Sequence, residues 1–272
     1  KNFDKALIIG PSGIGAVHFR ELLRFGFKKI AFLGKSNSKK RTFVVNLKKN
    51  KQIKIINLQK LNNIKNFRPY VTNICSPFQN HLEHILDSKK YSKFLIVEKP
   101  FIWFSTKSKK KAYEISMKLL NDSNKKIIVN LPMVSLAQQL IKTKEVPKKL
   151  NLIKFFYFTK GKQIKKNIAV DLLPHAISFL FTIYKKKNYK IKVLNILEKK
   201  FEWSCRLKID QILCDFRFKQ NMLYKESILK FKLNNNQYVR FQKQLGNERM
   251  NFLIKNEKKK IKLKSPMTDY LY

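Results

Sequence analysis

Among the many side chains here that could move a proton or hold a charged oxygen, Lys99, Asp171 and His175 are set apart by their sequence context. Lys99 stands in Glu98-Lys99-Pro100, directly after the apolar run Phe94-Leu95-Ile96-Val97. Such a run reads as a buried strand, so the lysine falls at the strand's carboxyl end, the edge where open α/β sheets bind ligands. In a chain this rich in lysine, the same residues also fit a strand, a turn and a solvated ammonium. Asp171 and His175 share the segment Asp171-Leu172-Leu173-Pro174-His175. A helix starting at Leu172 would hold Pro174 in its first turn, where a proline costs little. Asp171 would then cap that helix and His175 would follow one turn later on the same side. Capping, worth about 1 kcal/mol, is a sufficient role for Asp171 by itself. A satisfied interdomain histidine is a sufficient role for His175.

The elements needed to position such groups begin at the amino end. Ala6-Leu7-Ile8-Ile9 reads as a strand, Gly10-Pro11-Ser12-Gly13-Ile14-Gly15 as a turn, and Ala16 to Phe25 as a helix closed by Gly26. In that order, glycines let the backbone approach a pyrophosphate, and the helix amino terminus offers N–H groups to it. Against Gly-x-Gly-x-x-Gly the middle glycine is replaced by Ser12, and Gly13 is an extra one. A plain strand-to-helix turn fits the motif as well. The second strand, Lys29 to Leu33, leads into Gly34-Lys35-Ser36-Asn37-Ser38-Lys39-Lys40-Arg41. An NAD site usually has Asp or Glu about 20 residues beyond the glycines, on the ribose hydroxyl. Here Lys35, Ser36, Lys39, Lys40 and Arg41 suit the 2′-phosphate of NADP instead, or form a solvated basic loop.

Tyr70 to Cys75 reads as a further strand, followed by Ser76-Pro77-Phe78-Gln79-Asn80-His81 and a helix over Leu82 to Leu86. A strand ending in Ser-Pro, His81 four residues after the proline, a helix, a strand and Glu98-Lys99-Pro100 together resemble the Gfo/Idh/MocA family, the glucose-fructose oxidoreductase and inositol dehydrogenase group. Gly15 followed by His18, and the Asp-x-x-x-His of Asp171 and His175, fit the same pattern. The resemblance covers about Ala6 to Leu180. It implies reversible hydride transfer between C4 of a nicotinamide and a hydroxyl-bearing carbon of a sugar, polyol or nucleotide-sugar, with the chemistry where two domains meet. His175 would be the general acid/base, since an ordinary imidazole titrates near neutrality. Lys99 would hydrogen-bond the same oxygen, and Asp171 would orient the substrate or His175. In some relatives His and Lys exchange the leading role, so both divisions stand. The cofactor, NADP or NAD, would be held by Gly10, Pro11, Ser12, Gly13, Ile14, Gly15, Lys35, Ser36, Cys75, Ser76, Pro77, His81, Glu98 and Lys99. The Lys99-Pro100 bond resembles one that is cis in the family. The segment Asn130-Leu131-Pro132-Met133 lacks the arginine often found after this strand in relatives.

The expected fold is α/β: an N-terminal Rossmann dinucleotide-binding domain over 1–131 and a C-terminal α+β domain over 132–272 with an open, mostly antiparallel sheet. Helices are expected over Ser105 to Leu120, Val134 to Ile141 and Leu172 to Tyr184. Strands are expected over Leu152–Thr159, Ile191–Leu197, Phe201–Ile209, Ile212–Phe218, Ser227–Leu233 and Tyr238–Lys243. The second domain would bind substrate and carry a homo-oligomer, dimer or tetramer, through its sheet. At 272 residues the chain is short for the family. Its ends read as trimmed termini or a lost final helix.

A formal net charge of +43 is the usual footprint of a polyanion binder. The lysines are scattered along every segment, however, and no interleaved aromatic motif or zinc-finger spacing accompanies them. A specific nucleic-acid partner is therefore not expected, although salt-sensitive adhesion to anions is. Cys75, Cys205 and Cys214 include no CxxC pair and read as reduced thiols of a cytoplasmic protein. No apolar run reaches membrane-spanning length. His81 and His84 lack a third ligand, so no metal site is expected. Besides the oxidoreductase, the sequence admits a non-catalytic cofactor-binding homologue and a basic nucleic-acid binder. Intact Lys99, Asp171 and His175 argue against the former, and scattered charge argues against the latter.

Overall fold

The computed structural model describes residues 4–34, 53–58, 60–103, 109–122, 126–186, 188–245 and 248–263. The chain divides into two compact units, Lys1–Asn130 and Leu131–Tyr272.

The first unit is a parallel sheet. Its strands are β1 (Lys5–Ile9), β2 (Lys29–Leu33), β3 (Lys54–Leu58), β4 (Val71–Ile74), β5 (Phe94–Glu98) and β6 (Lys126–Asn130). The helices between them are α1 (Ile14–Arg24), α2 (Ile64–Phe67), α3 (His81–Ser88) and α4 (Lys109–Leu120). The spatial order β3-β2-β1-β4-β5-β6, with every pairing parallel, is doubly wound and reverses between β1 and β4. Such strands are covered on both faces, which is why Ala6–Ile9 and Leu95–Val97 are continuous apolar runs with almost no exposure. Strand β3 and helix α2 were not expected from the sequence: Lys-Ile-Ile-Asn-Leu is short and mixed in polarity.

The second unit contains α5 (Pro132–Lys142), β7 (Leu152–Thr159) and α6 (Lys166–Ile183), followed by seven strands. These are β8 (Ile191–Lys199), β9 (Glu202–Ile209), β10 (Ile212–Gln220), β11 (Ile228–Leu233), β12 (Asn236–Leu245), β13 (Glu248–Lys255) and β14 (Lys259–Leu263). They join β7 in an eight-stranded sheet of order β14-β13-β12-β11-β7-β10-β9-β8. Only the β7–β10 pairing is parallel. Inward side chains of alternate positions, such as Phe155, Phe216, Phe218 and Phe231, pack with Leu136, Leu172 and Phe179 of the two helices in one core.

Helix α6 corrects the sequence reading. It begins at Lys166, six residues before Leu172, so Pro174 is interior and Asp171 is not a cap. A mid-helix proline removes a backbone hydrogen bond and costs about 3 kcal/mol. The buried stripe Ile168, Leu172, Ala176 and Phe179 offsets that cost by packing the helix on the sheet. The hairpin β13–β14 was also unexpected. Its turn uses Asn256 and Glu257 at positive φ, 47° and 62°, without the glycine that usually marks such a turn. The expected helix start at Ser105 and the terminal segment Ser265 to Tyr272 lie outside the described residues.

Candidate active site

Glycines at the carboxyl end of β1 let backbone segments approach one another. Gly10 has φ 83°, and a Cβ on it would stand 2.7 Å from the Ser76 nitrogen and 2.8 Å from the Cys75 carbonyl carbon. The turn after β1 therefore lies directly against the chain leaving β4. A Cβ on Gly15 would overlap the Gly10 carbonyl oxygen, which fixes how closely α1 approaches the turn. Gly13, at φ 60° with open space around it, starts α1 without a side-chain cap. Ser12 and Ile14 beside it are exposed, Pro11 is half-buried, and Ser12 stays outside the positive-φ region, so serine is unstrained there. The N–H groups of Gly15 and Ala16 donate to the Ser12 and Gly13 carbonyl oxygens at 3.1 and 3.2 Å, and the positive end of the helix dipole faces solvent without a side-chain cap. The missing Cβ atoms of Gly10 and Gly15 are replaced by the chain's own backbone, so these glycines set how tightly the turn, α1 and the segment after β4 pack together.

Two histidines of α3 hold the loop after β4. His81 lies between carbonyl oxygens, Nε2 2.9 Å from Ser76 and Nδ1 2.9 Å from Pro100. The ring donates to both only as an imidazolium. His84 Nδ1 is 2.8 Å from the Ser76 hydroxyl, and burial pushes the His84 imidazole below its ordinary value. The pair thus converges on Ser76 from one turn of helix. Pro77 is exposed. Cys75 is buried, and burial followed by the Glu98 charge raises its thiol well above the ordinary value, so its backbone faces the glycine turn while its sulfur is inert. Among the described residues no cluster of three or more His, Cys, Asp or Glu could hold a metal ion.

Strand β5 ends in a buried carboxylate. Glu98 Oε1 accepts from His18 Nε2 at 2.8 Å and from Asn130 Nδ2 at 2.5 Å, tying α1 and the end of β6 to the end of β5. Lys99 follows half-buried, and its bond to Pro100 is cis. Burial pushes the Glu98 carboxyl up, but the hydrogen bond and charge interaction with His18, the Asn130 amide and the Lys99 charge pull it down further, to a net value below the ordinary one. A depressed carboxyl stabilises the fold fully above about pH 4.5, its ordinary value, and that contribution disappears as pH falls through the lower folded value. Glu98→Gln is expected to cost about 1–3 kcal/mol at neutral pH, since the carboxylate acceptor shared by two buried donors is lost. The deficit should shrink in acid as the wild type loses its own carboxylate. Denaturant unfolding across that pH range checks this; a constant difference would contradict it.

In the second unit, Asp171 lies inside α6 and accepts a hydrogen bond from Gln220 Nε2 at the end of β10. The Gln220 oxygen accepts from the Gln163 backbone at 3.1 Å. A Cβ on Gly161 would overlap the same amide, so glycine makes room for it. His175, one turn along α6, is buried, and its ring meets Tyr157 of β7 edge-on at 5.3 Å between centroids. The structure therefore groups Glu98 and Lys99 with His18 and Asn130 in one unit, and Asp171 and His175 with Gln220 and Tyr157 in the other. Lys35 and Ser36, like Lys39, Lys40 and Arg41, lie outside the described residues. Sequence reasoning missed Asn130, Tyr157 and Gln220 as supporting groups. No local spacing marks them.

No protein-family model and no curated protein matches the chain. Solved structures do match. A dehydrogenase (MviM) of Clostridium difficile is 12% identical with a TM-score of 0.65, covering 97% of this chain and 84% of its own. The WlbA (WbpB) dehydrogenase of Thermus thermophilus, in complex with NAD and α-ketoglutarate, is 11% identical with a TM-score of 0.66, covering 86% of this chain and 82% of its own. A second structure of that enzyme contains NAD and UDP-GlcNAcA. The scyllo-inositol dehydrogenase of Lactobacillus casei is 13% identical with a TM-score of 0.63, covering 95% and 80%. The fold is that of the Gfo/Idh/MocA-type dehydrogenases, a Rossmann-like parallel sheet followed by a mostly antiparallel one.

Proposed function

We propose that this chain is an NAD(P)-dependent oxidoreductase that moves a hydride between a nicotinamide and a hydroxyl-bearing carbon of a sugar, polyol or nucleotide-linked sugar. The observation that carries this reading is Lys99, half-buried beyond the carboxyl end of β5 and immediately after the Glu98 carboxylate that braces α1 and β6. The glycine turn after β1 and the amino end of α1, which no side chain caps, would hold the pyrophosphate, with Ser76 and His81 beside it. NADP fits better than NAD, because residues 34–41 contain Lys35, Ser36, Lys39, Lys40 and Arg41 and no carboxylate. The nicotinamide, when bound, supplies the hydride acceptor or donor. His175 takes the hydroxyl proton as the alcohol is oxidised and returns it in reduction. Lys99 hydrogen-bonds that oxygen and stabilises its developing negative charge. Gln220 holds Asp171 in α6, one turn from His175, where it orients the substrate or the imidazole.

NAD and UDP-GlcNAcA in the Thermus thermophilus dehydrogenase support a sugar or nucleotide-sugar substrate here. Polyols, sugars and nucleotide-sugars supplied with NADP and then NAD, followed by nicotinamide absorbance, test the reading. Reduction by one of these classes is expected. Tight nucleotide binding without turnover on any of them would instead identify a non-catalytic homologue.

Self-association through the second sheet belongs to the same reading. Strand β8 is outermost, all nine of its residues are exposed, and five of them are Ile191, Val193, Leu194, Ile196 and Leu197. An apolar edge of this length favours pairing with another chain. Sedimentation should show a dimer or larger species that Ile196→Lys weakens. A monomer at micromolar concentration would contradict this. Among the described residues no helix is long and apolar enough to cross a membrane; a cytoplasmic location is part of the proposal.

A further inference from the structure

One transverse row of the second sheet runs Trp203, Phe218, Tyr157, Leu229, Arg240, Leu253, each directly paired with the next. Directly paired residues share a face. Trp203, Phe218, Leu229 and Leu253 belong to the core formed with α5 and α6, so this is the helix-covered face. Arg240 is the one cation in the row. Its guanidinium reaches across Leu229 and lies over the Tyr157 ring, 5.8 Å from the centroid. Its Nε is buried with no hydrogen-bond partner. Its side chain has no ion pair or hydrogen bond among the described residues, although Glu226 and Glu257 line the same cavity as Arg240.

An arginine placed this way is poorly explained by stability. Burying an unpaired guanidinium N–H costs free energy, and a cation–π contact returns about 0.5–2 kcal/mol. A planar fork of donors with no acceptor among the described residues is instead suited to a carboxylate or phosphate, which it binds through two parallel hydrogen bonds. Its position joins this feature to the proposed chemistry, because the ring under Arg240 is the one that meets His175 edge-on. The separations of 5.8 Å and 5.3 Å, laid end to end, place guanidinium and imidazole at most about 11 Å apart. A pyranose ring with a hydrogen bond of about 2.9 Å at each end spans such a distance.

We propose that Arg240 is the substrate's anion anchor: it receives a carboxylate or phosphate carried by the sugar whose hydroxyl His175 serves. The substrate class is thereby narrowed to acidic sugars, either uronic acids or sugar phosphates. The part concerning His175 rests on the hydride-transfer reading; anion binding at Arg240 does not.

The test titrates the whole chain, without nucleotide and at moderate salt, with glucuronate, glucose 6-phosphate and neutral glucose, by calorimetry and Trp203 fluorescence. At least one acid should bind saturably while glucose does not. A response to glucuronate alone identifies a carboxylate site, and a response to glucose 6-phosphate alone a phosphate site. Arg240→Gln should weaken that binding about 10- to 150-fold, the range for hydrogen bonds to a charged partner. Arg240→Lys, which keeps the charge but loses the fork, should fall between. Lys230→Gln, at an exposed lysine of β11, should leave binding within about twofold, since isolated surface charges are screened. Thermal unfolding of Arg240→Gln should match the wild type, whereas a merely structural cation would lower it without any acid binding. Failure of both acids to bind, or equal losses in Arg240→Gln and Lys230→Gln, would overturn the proposal. NADPH titrated separately distinguishes the two readings: Arg240-dependent acid binding without NADPH binding sinks hydride transfer and leaves the anchor standing, and the reverse pattern sinks the anchor alone.

Discussion

Lys99→Met should lower kcat by about 10²- to 10⁴-fold while leaving the Kd for NADPH within about threefold, the size of effect seen when a positioned proton-transfer or oxyanion group is lost. Methionine keeps much of the aliphatic stem of a half-buried side chain, so the Glu98 carboxylate should stay bonded to His18 and Asn130. The loss then reports the ammonium and not the packing around it. Steady-state kinetics on whichever sugar supports turnover, paired with a nucleotide titration, provides the check. An equal loss of kcat and kcat/KM would place the Lys99 contact in the transition state alone, whereas a rise in KM alone would make it a contact equally strong in the ground and transition states. Unchanged turnover would remove Lys99 from the mechanism and leave His175 to act with other partners.

Gly15→Ala should weaken NADPH binding by about 100-fold or more, equivalent to about 2.8 kcal/mol. The added Cβ would overlap the Gly10 carbonyl oxygen and stand 3.4 Å from Ile8 Cγ2, both fixed parts of the turn and the strand. Gly10 cannot give way, because it is itself against the backbone of Cys75 and Ser76. The helix must therefore move, and its amino end and the turn bonded to it move with it. Overpacking of this kind also costs about 1–3 kcal/mol of stability. Gly13→Ala makes the contrast. Nothing lies within 4 Å of its Cβ, so only the backbone conformation, φ 60° and ψ −115°, is penalised, by about 1–3 kcal/mol. Nucleotide titration and thermal unfolding of both variants should separate them. Comparable NADPH affinity in the two would contradict the role given to the tight turn at Gly15.

What was legible in the sequence was local. The strand, glycine turn and helix from Lys5 to Arg24 repeat a pattern of adjacent residues, and Glu98-Lys99-Pro100 follows a run too apolar to be anything but buried. The cis bond at Lys99-Pro100 was implied by the family resemblance and not by the residues themselves. The groups that brace the candidate site were not legible. Glu98 finds its donors 80 residues earlier in His18 and 32 residues later in Asn130, and Asp171 finds Gln220 49 residues away. Such partners are chosen by sheet order and register, which hydrophobic periodicity does not encode. The extended start of α6 was hidden for another reason. Pro174 looks like a first-turn residue when only backbone preference is weighed, and the packing of Ile168 and Leu172 overrides that preference. Arg240 was passed over as one of 60 lysines and arginines; only the face it shares with Tyr157 sets it apart.

Titration of the protein with NADPH and NADH at low and moderate salt, read by energy transfer from tryptophan to the nicotinamide, tests the dinucleotide site most directly. Trp103 lies four residues beyond Lys99 and is 41% exposed, so it is a local donor for this measurement. Saturable binding that favours NADPH and persists at moderate salt is the predicted result. Failure of either nucleotide to saturate, or loss of binding with salt as expected for any polyanion on a chain of net charge +43, would contradict it.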